Sequence, residues 1–158
     1  MSRTLTYLSA IAFGFERINF TWILNCISAG KLMNRKNYAL QVGHSHFQNR
    51  DIEPHEVGSA NLRDLFKGEH FVVASTNKDF TGAWKELLLR IGAEVTEKNG
   101  GKLSRLKKFT VIITESRNCP LSIRTEANER DKYLVNTSWV LECLINGRNL
   151  PFTDYLIL

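Results

Sequence analysis

The second half of this chain is predicted to be an α/β domain, a four-stranded parallel sheet flanked by helices, on three observations. From Leu65 onward, strand-like and helix-like segments alternate in the order β-α-β-β-α-β-α, which places helices on the faces of a mainly parallel sheet. Phe109 to Thr114 is apolar and β-branched on both faces, as a strand covered from both sides must be. The pattern Trp22-Ile-Leu-Asn-Cys26 also returns 117 positions later as Trp139-Val-Leu-Glu-Cys143, so one structural unit occurs twice.

Each element follows from local signals. Glu69 to Ser75 is an apolar strand, and Phe80 to Ile91 sets Phe80, Trp84, Leu87, Leu88 and Ile91 at helical spacing before Gly92 closes the helix. Ala93 to Thr96 is a short strand, and the Asn99-Gly-Gly101 turn opens a basic loop that leads to the strand at Phe109. Pro120 suits the first turn of a second helix over Leu121 to Asn128. The repeated unit supplies the close. In it a short strand (Arg17-Ile-Asn19; Tyr133-Leu-Val135) ends in an asparagine and a hydroxyl residue that can cap a helix. Trp and Cys at i and i+4 then share one helix face, and Gly30 or Gly147 stops the helix. In register, Ile18 pairs with Val135, Asn19 with Asn136, Thr21 with Ser138, Lys31 with Arg148, Tyr38 with Tyr155 and Leu40 with Ile157.

By the same template, residues 3 to 12 are a second helix, Glu16 to Asn19 a last strand and Thr21 to Ser28 a last helix. The first copy therefore carries only the closing part of the unit, over residues 1–40. Residues 41–63, polar and with Gly43, Pro54 and Gly58, read as a linker containing at most a helical turn, and 64–158 as a complete domain. With no sheet of its own, the first copy is expected to pack residues 3 to 30 as helices on the first and third helices of the second, around Trp84 and Trp139.

Composition narrows the function. Of the 158 residues 43% are hydrophobic and 23% charged, which suits a globular chain, and no apolar run reaches the roughly 20 residues of a membrane-spanning helix. The apolar start from Leu5 to Phe15 is too interrupted for a secretion signal. Three scattered cysteines (Cys26, Cys119, Cys143) favour a reducing compartment, and neither they nor His44 and His46 have metal-site spacing. No nucleophile motif or nucleotide-binding glycine loop is present, so a non-catalytic module without cofactor or metal is expected. The net charge of +5 is concentrated in Lys98, Lys102, Arg105, Lys107 and Lys108, with no acid among them. That loop is either a solvated face or a contact for phosphate, DNA backbone or an acidic partner. Trp22, Cys26, Trp84, Gly92, Trp139 and Cys143 are assigned to the core.

From Leu65 onward these residues resemble a BRCT domain: Ile91-Gly-Ala93 matches the family's turn into its second strand, Phe109 to Thr114 its central strand, and Trp139 with Cys143 its third-helix signature. Over the whole chain, Ala83-Trp-Lys-Glu-Leu87, Cys119-Pro120, Cys143-Leu-Ile-Asn-Gly147 and Asn37-Tyr-Ala-Leu40 resemble the tandem BRCT region of DNA-damage checkpoint mediators, the tudor-plus-BRCT adaptors that bind a tumour suppressor. The resemblance implies a BRCT fold preceded by a partial first repeat, and a nuclear scaffold in checkpoint signalling and repair. Its expected partners are a tumour-suppressor transcription factor, a phosphorylated histone tail or another phosphorylated checkpoint protein. Asn37 and Glu53 fall on positions of the surface that contacts the transcription factor's DNA-binding domain, a polar and acidic pair suited to a basic partner. Thr6 stands where such proteins hold phosphate with lysine, and Arg3 lies one turn earlier. Ser75 and Thr76 match a phosphate-contacting hydroxyl position, or simply form a turn. The alternative class is a DNA-binding accessory domain of a repair enzyme that uses the loop from 98 to 108.

Overall fold

The computed structural model describes residues 4–58, 62–103, 106 and 108–157. The first part of the chain forms helix α1 (Leu5–Ala12), helix α2 (Thr21–Ala29) and a 3-10 turn at Arg35–Tyr38. Strands β1 (Gly43–Ser45) and β2 (Arg50–Ile52) follow, then the short helix α3 (Pro54–Gly58) and a 3-10 turn at Leu62–Asp64. The second part runs β3 (His70–Ala74), α4 (Lys78–Arg90), β4 (Glu94–Lys98), β5 (Val111–Thr114), α5 (Leu121–Glu129), β6 (Tyr133–Asn136) and α6 (Thr137–Asn146). This is the predicted β-α-β-β-α-β-α order, and the four strands pair in parallel as β4-β3-β5-β6.

Period-two alternation along the strands explains the two layers. Phe71, Val73, Val111, Ile113 and Val135 point to one face, where α4 and α6 bring Trp84, Leu87, Leu88, Trp139, Val140 and Leu144. Val72, Ala74, Ile112 and Leu134 point to the other, covered by Ile123 and Ala127 of α5 and by Leu103 and Phe109. Both faces of β5 are thus dry, which is why its sequence has no polar phase. Trp139 sits at the centre of the first layer, its ring 5.2 Å from Phe66 and 5.6 Å from Phe71. Gly92 carries a structural demand: its φ is +94°, and a Cβ there would lie 2.6 Å from the Arg63 carbonyl oxygen.

The repeated unit is repeated in three dimensions, bond for bond. The Asn19 carboxamide accepts from the Thr21 amide at 3.0 Å, as Asn136 accepts from Ser138 at 3.0 Å. The indole of Trp22 donates to the Met33 carbonyl at 2.9 Å and that of Trp139 to the Leu150 carbonyl at 2.8 Å. The same two residues turn their amides to the sulfurs of Cys26 and Cys143. Gly30 and Gly147 end their helices at φ 62° and 63°. Ile18 bridges Ala39 as Val135 bridges Leu156, and Leu40 donates to Arg17 as Ile157 donates to Leu134.

The two copies differ in cover. Helix α1 packs on α4 and α6, as expected, burying Leu8, Ile11 and Ala12 in the main core. Helix α2 does not join it: it packs on its own following 3-10 turn and buries none of its residues fully. The predicted strand at Glu16–Asn19 is reduced to the single bridge at Ile18, because no sheet stands beside it among the described residues.

The linker is more ordered than its composition suggests. β1 and β2 pair as an antiparallel hairpin, and Glu142 of α6, 1% exposed, reaches into its turn. The Glu142 carboxylate accepts from the Ser45 hydroxyl at 2.9 Å, the His46 amide at 3.0 Å and the Asn146 carboxamide at 3.1 Å. Gln48 donates to Asn146 at 2.6 Å, so a satisfied polar network binds the hairpin's turn to α6, in addition to the burial of Ile52 of β2 in the main core.

Candidate protein-binding surface

Two of the predicted site residues are brought together by the fold. Asn37 rides on the Arg35–Tyr38 turn, whose start is fixed by the Asn34 side chain accepting from the Lys36 amide at 3.0 Å. Glu53 lies between β2 and α3, where its amide donates to Glu56 at 2.8 Å. Glu56 in turn takes a two-pronged contact from the Arg50 guanidinium, 2.9 and 2.6 Å, and this carboxylate contact raises the Arg50 pKa further above its ordinary value. Both side chains line one cleft of about 640 Å³, with residues 14–17, Lys36, Ala39, Gln41 and Pro54 as the other walls.

The cleft is held by groups that leave Asn37 and Glu53 exposed. Tyr7 of α1 donates its hydroxyl to the Gln41 carbonyl at 2.8 Å, which ties the linker to the first helix. Arg17 lies 5.9 Å from the centre of the Tyr7 ring and donates to the Phe15 carbonyl, while its buried Nε has no partner among the described residues. Glu16 pairs with Arg35 at 3.2 Å on the exposed surface. The exposed acid of Glu53 and the amide of Asn37 therefore offer hydrogen-bond acceptors and donors to solvent on a fixed frame.

The remaining predicted residues lie elsewhere. Thr6 lines a groove of about 310 Å³ between α1 and α4, with Glu86 and Arg90 on the α4 side; Arg3 is outside the described residues. Ser75 is fully buried at the end of β3, its hydroxyl accepting from the Asn77 amide at 3.0 Å and its carbonyl from Asn99. The Thr76 amide is already given to the Asn118 carbonyl at 2.8 Å. That corner is built as a closed turn around α4's N-terminus, with Asn77 as the helix cap.

In the basic loop, Lys98 donates to the Lys102 carbonyl, Lys102 and Lys108 are exposed, and Arg105 and Lys107 lie outside the described residues. Leu103 anchors the loop in the second core layer, and its amide donates to Glu126 of α5 at 2.6 Å. An acid absent from the loop's sequence is thus present in its space. Of the core assignments, Trp84, Trp139 and Cys143 are buried, whereas Trp22 and Cys26 are half-buried. Sequence reasoning missed Ser45, Gln48, Glu142 and Asn146; the signal was an acid at position 142, between the buried Val140 and Cys143 of an otherwise apolar helix.

A parallel four-stranded sheet in this order, with two helices on one face, one on the other and a cleft on its flank, defines a small α/β module. The model of the BRCA1 C Terminus (BRCT) domain matches residues 64–155, and the chain belongs to that family. BRCT domains are in general protein-interaction modules. Among solved structures, Rtt107p (residues 820–1070) is 13% identical with a TM-score of 0.64, the match covering 100% of this chain and 72% of that one. The BRCT5-BRCT6 domains of S. pombe Brc1 are 14% identical with a TM-score of 0.62, covering 98% of this chain and 77% of theirs. At these identities the likeness is one of fold, and it extends over residues 1–63 as well as the matched domain.

Proposed function

We propose that this chain is a non-catalytic scaffold of the nuclear DNA-damage response that binds a protein partner through the cleft holding Asn37 and Glu53. The observation that carries this reading is the convergence of those two residues, 16 positions apart in sequence, on one cleft between the first BRCT-like unit and the linker. The resemblance to tudor-plus-BRCT checkpoint mediators supplies the class of partner: the basic DNA-binding domain of a tumour-suppressor transcription factor. Residues 1–40 act as the closing part of a first repeat, 41–63 as the linker and 64–158 as the second repeat. A phosphorylated histone tail is the weaker candidate, since Thr6 shares its groove with Glu86 and the Ser75-Thr76 corner is internally bonded.

Isothermal titration of the intact chain against such a DNA-binding domain tests the reading. Glu53→Lys reverses the charge facing a basic partner and is expected to weaken binding by about tenfold to a hundredfold, with Asn37→Ala losing about tenfold. Equal affinity for both variants and the parent chain would overturn it.

A further inference from the structure

Asparagine followed by glycine occurs twice in the chain, at Asn99-Gly100 and Asn146-Gly147, and the fold treats the two pairs in opposite ways. In this dipeptide the backbone nitrogen of the glycine can attack the carbonyl carbon of the asparagine side chain, because no Cβ stands in its path. The reaction needs a glycine amide that can give up its proton and a carboxamide that can turn toward it. The second pair offers neither. The Gly147 amide donates to the Leu144 carbonyl at 3.3 Å. The Asn146 carboxamide is held on both atoms, its oxygen accepting from Gln48 at 2.6 Å and its nitrogen donating to the Glu142 carbonyl at 2.8 Å. Asn99, by contrast, is exposed just past the end of β4, in a bend continued by Gly100 and Gly101 at φ 134° and 79°. The Gly100 amide makes no hydrogen bond among the described residues. Of the Asn99 carboxamide, the nitrogen alone is engaged among those residues, donating to the Ser75 carbonyl at 2.8 Å and the Thr81 hydroxyl at 3.4 Å.

From this contrast we propose that Asn99 is a site of spontaneous deamidation, while the fold protects Asn146. The Gly100 nitrogen loses its proton to solvent and bonds to the side-chain carbon of Asn99. The Cγ–Nδ2 bond breaks, and that nitrogen takes up a proton and leaves as ammonia, closing a succinimide ring. Water then opens the ring to aspartate or isoaspartate, so carboxamide and water become carboxylic acid and ammonia with nothing oxidised or reduced. The site stands where the change has structural consequences. The Asn99 nitrogen ties the end of β4 to the carbonyl of Ser75, a fully buried residue at the corner between β3 and α4. A carboxylate in its place has no proton to give and faces that carbonyl as a second acceptor, so the corner loosens. It also sets a negative charge between Lys98 and Lys102, in a loop whose own sequence carries none. Ageing of the chain therefore lowers both the order of this corner and the positive charge of the basic loop.

The test uses the intact chain and, as probe, hydroxylamine, which cleaves the backbone at a succinimide. The chain is incubated with it in mildly alkaline buffer, once folded and once in denaturing urea, and the fragments are identified by mass. The folded chain is expected to be cut after Asn99, giving residues 1–99 and 100–158, and urea is expected to add a cut after Asn146. Asn99→Gln, whose longer side chain closes a ring far more slowly, removes the first cut and leaves the second. No cut after Asn99 in the folded chain overturns the proposal, and so does a cut after Asn146 as fast as the one after Asn99. The structural consequence is read by hydrogen exchange of Asn99→Asp. The Ser75 and Thr76 amides, which donate to the Lys98 and Asn118 carbonyls, are expected to exchange about tenfold faster while β5 is unchanged. Unchanged exchange at those two amides would show that the corner is held without Asn99. None of these outcomes bears on the cleft at Asn37 and Glu53.

Discussion

The two tryptophans make the same hydrogen bond and differ in what surrounds them, and that difference sets their energetic weight. Trp139 is 2% exposed and packed by Phe66, Phe71 and Phe152, so Trp139→Ala leaves a large cavity and is expected to cost about 3–5 kcal/mol. Trp22 has no ring neighbour among the described residues and is half-buried, so Trp22→Ala is expected to cost about 1–2 kcal/mol. Urea unfolding of the two variants checks the ordering, and equal losses would mean that the first unit has a core of its own. The cysteines divide the same way. Burial pushes the Cys143 thiol up to about 12, with the Leu150 amide bonded to its sulfur opposing the shift. A thiol whose folded pKa lies above its unfolded one stabilises the fold fully at neutral pH and loses that contribution as pH rises from the unfolded value toward 12. Stability should therefore fall between about pH 9 and 12, and Cys143 should resist thiol reagents at pH 8 while the chain is folded.

At the scale of elements, helices and central strands were legible because each carries its own period and its own stop. α4 has its asparagine cap and an apolar stripe, and β5 is hydrophobic on both faces because both are buried. The linker hairpin was not legible. Its strands are three residues long, Gly-His-Ser and Arg-Asp-Ile, with a single large apolar residue between them, and its turn lacks the Asn-Gly or Asp-Gly signal of a tight hairpin. Two distant partners hold it: the main core, which buries Ile52, and Glu142, about a hundred residues away, whose carboxylate gathers the Ser45 hydroxyl and the His46 amide. Glu142→Ala is expected to leave those donors buried and unpaired, at about 1–3 kcal/mol, and to release the hairpin first. Faster exchange of the His46 amide with little change in β3 is the signature; no local change would show that the hairpin is held by its own pairing.

For the whole molecule, the apportioning of charge matters more than its total. The basic loop reads in sequence as an uninterrupted positive run, yet in space Glu126 bonds to its Leu103 amide while Glu129 lies on the same helix. A surface gripping DNA backbone through three to five lysines and arginines would show affinity falling with salt at a slope near −0.9 for each phosphate contact. With acids beside the loop, binding to duplex DNA at low salt is expected to be weak and its slope near −1 to −2. A slope steeper than about −3 would favour the DNA-binding alternative. The same whole-molecule view explains why Asn37 and Glu53 share a cleft: Tyr7, the linker backbone and the hairpin's hold on α6 bring residues 14–17 and 36–54 to one wall.

By itself the sequence determined which segments are strands and helices in the second domain, their order, and the existence of a twice-used strand-and-helix unit, since capping, periodicity and helix termination are short-range and written locally. The packing of α1 on the main core was expected from the sequence, but only the tertiary structure decided that α2 stays uncovered, that the linker folds back on α6, and that an acid neighbours the basic loop. Those outcomes depend on which surfaces remain to be covered once the sheet has formed, and on buried polar partners far apart in the chain, and no local pattern encodes either.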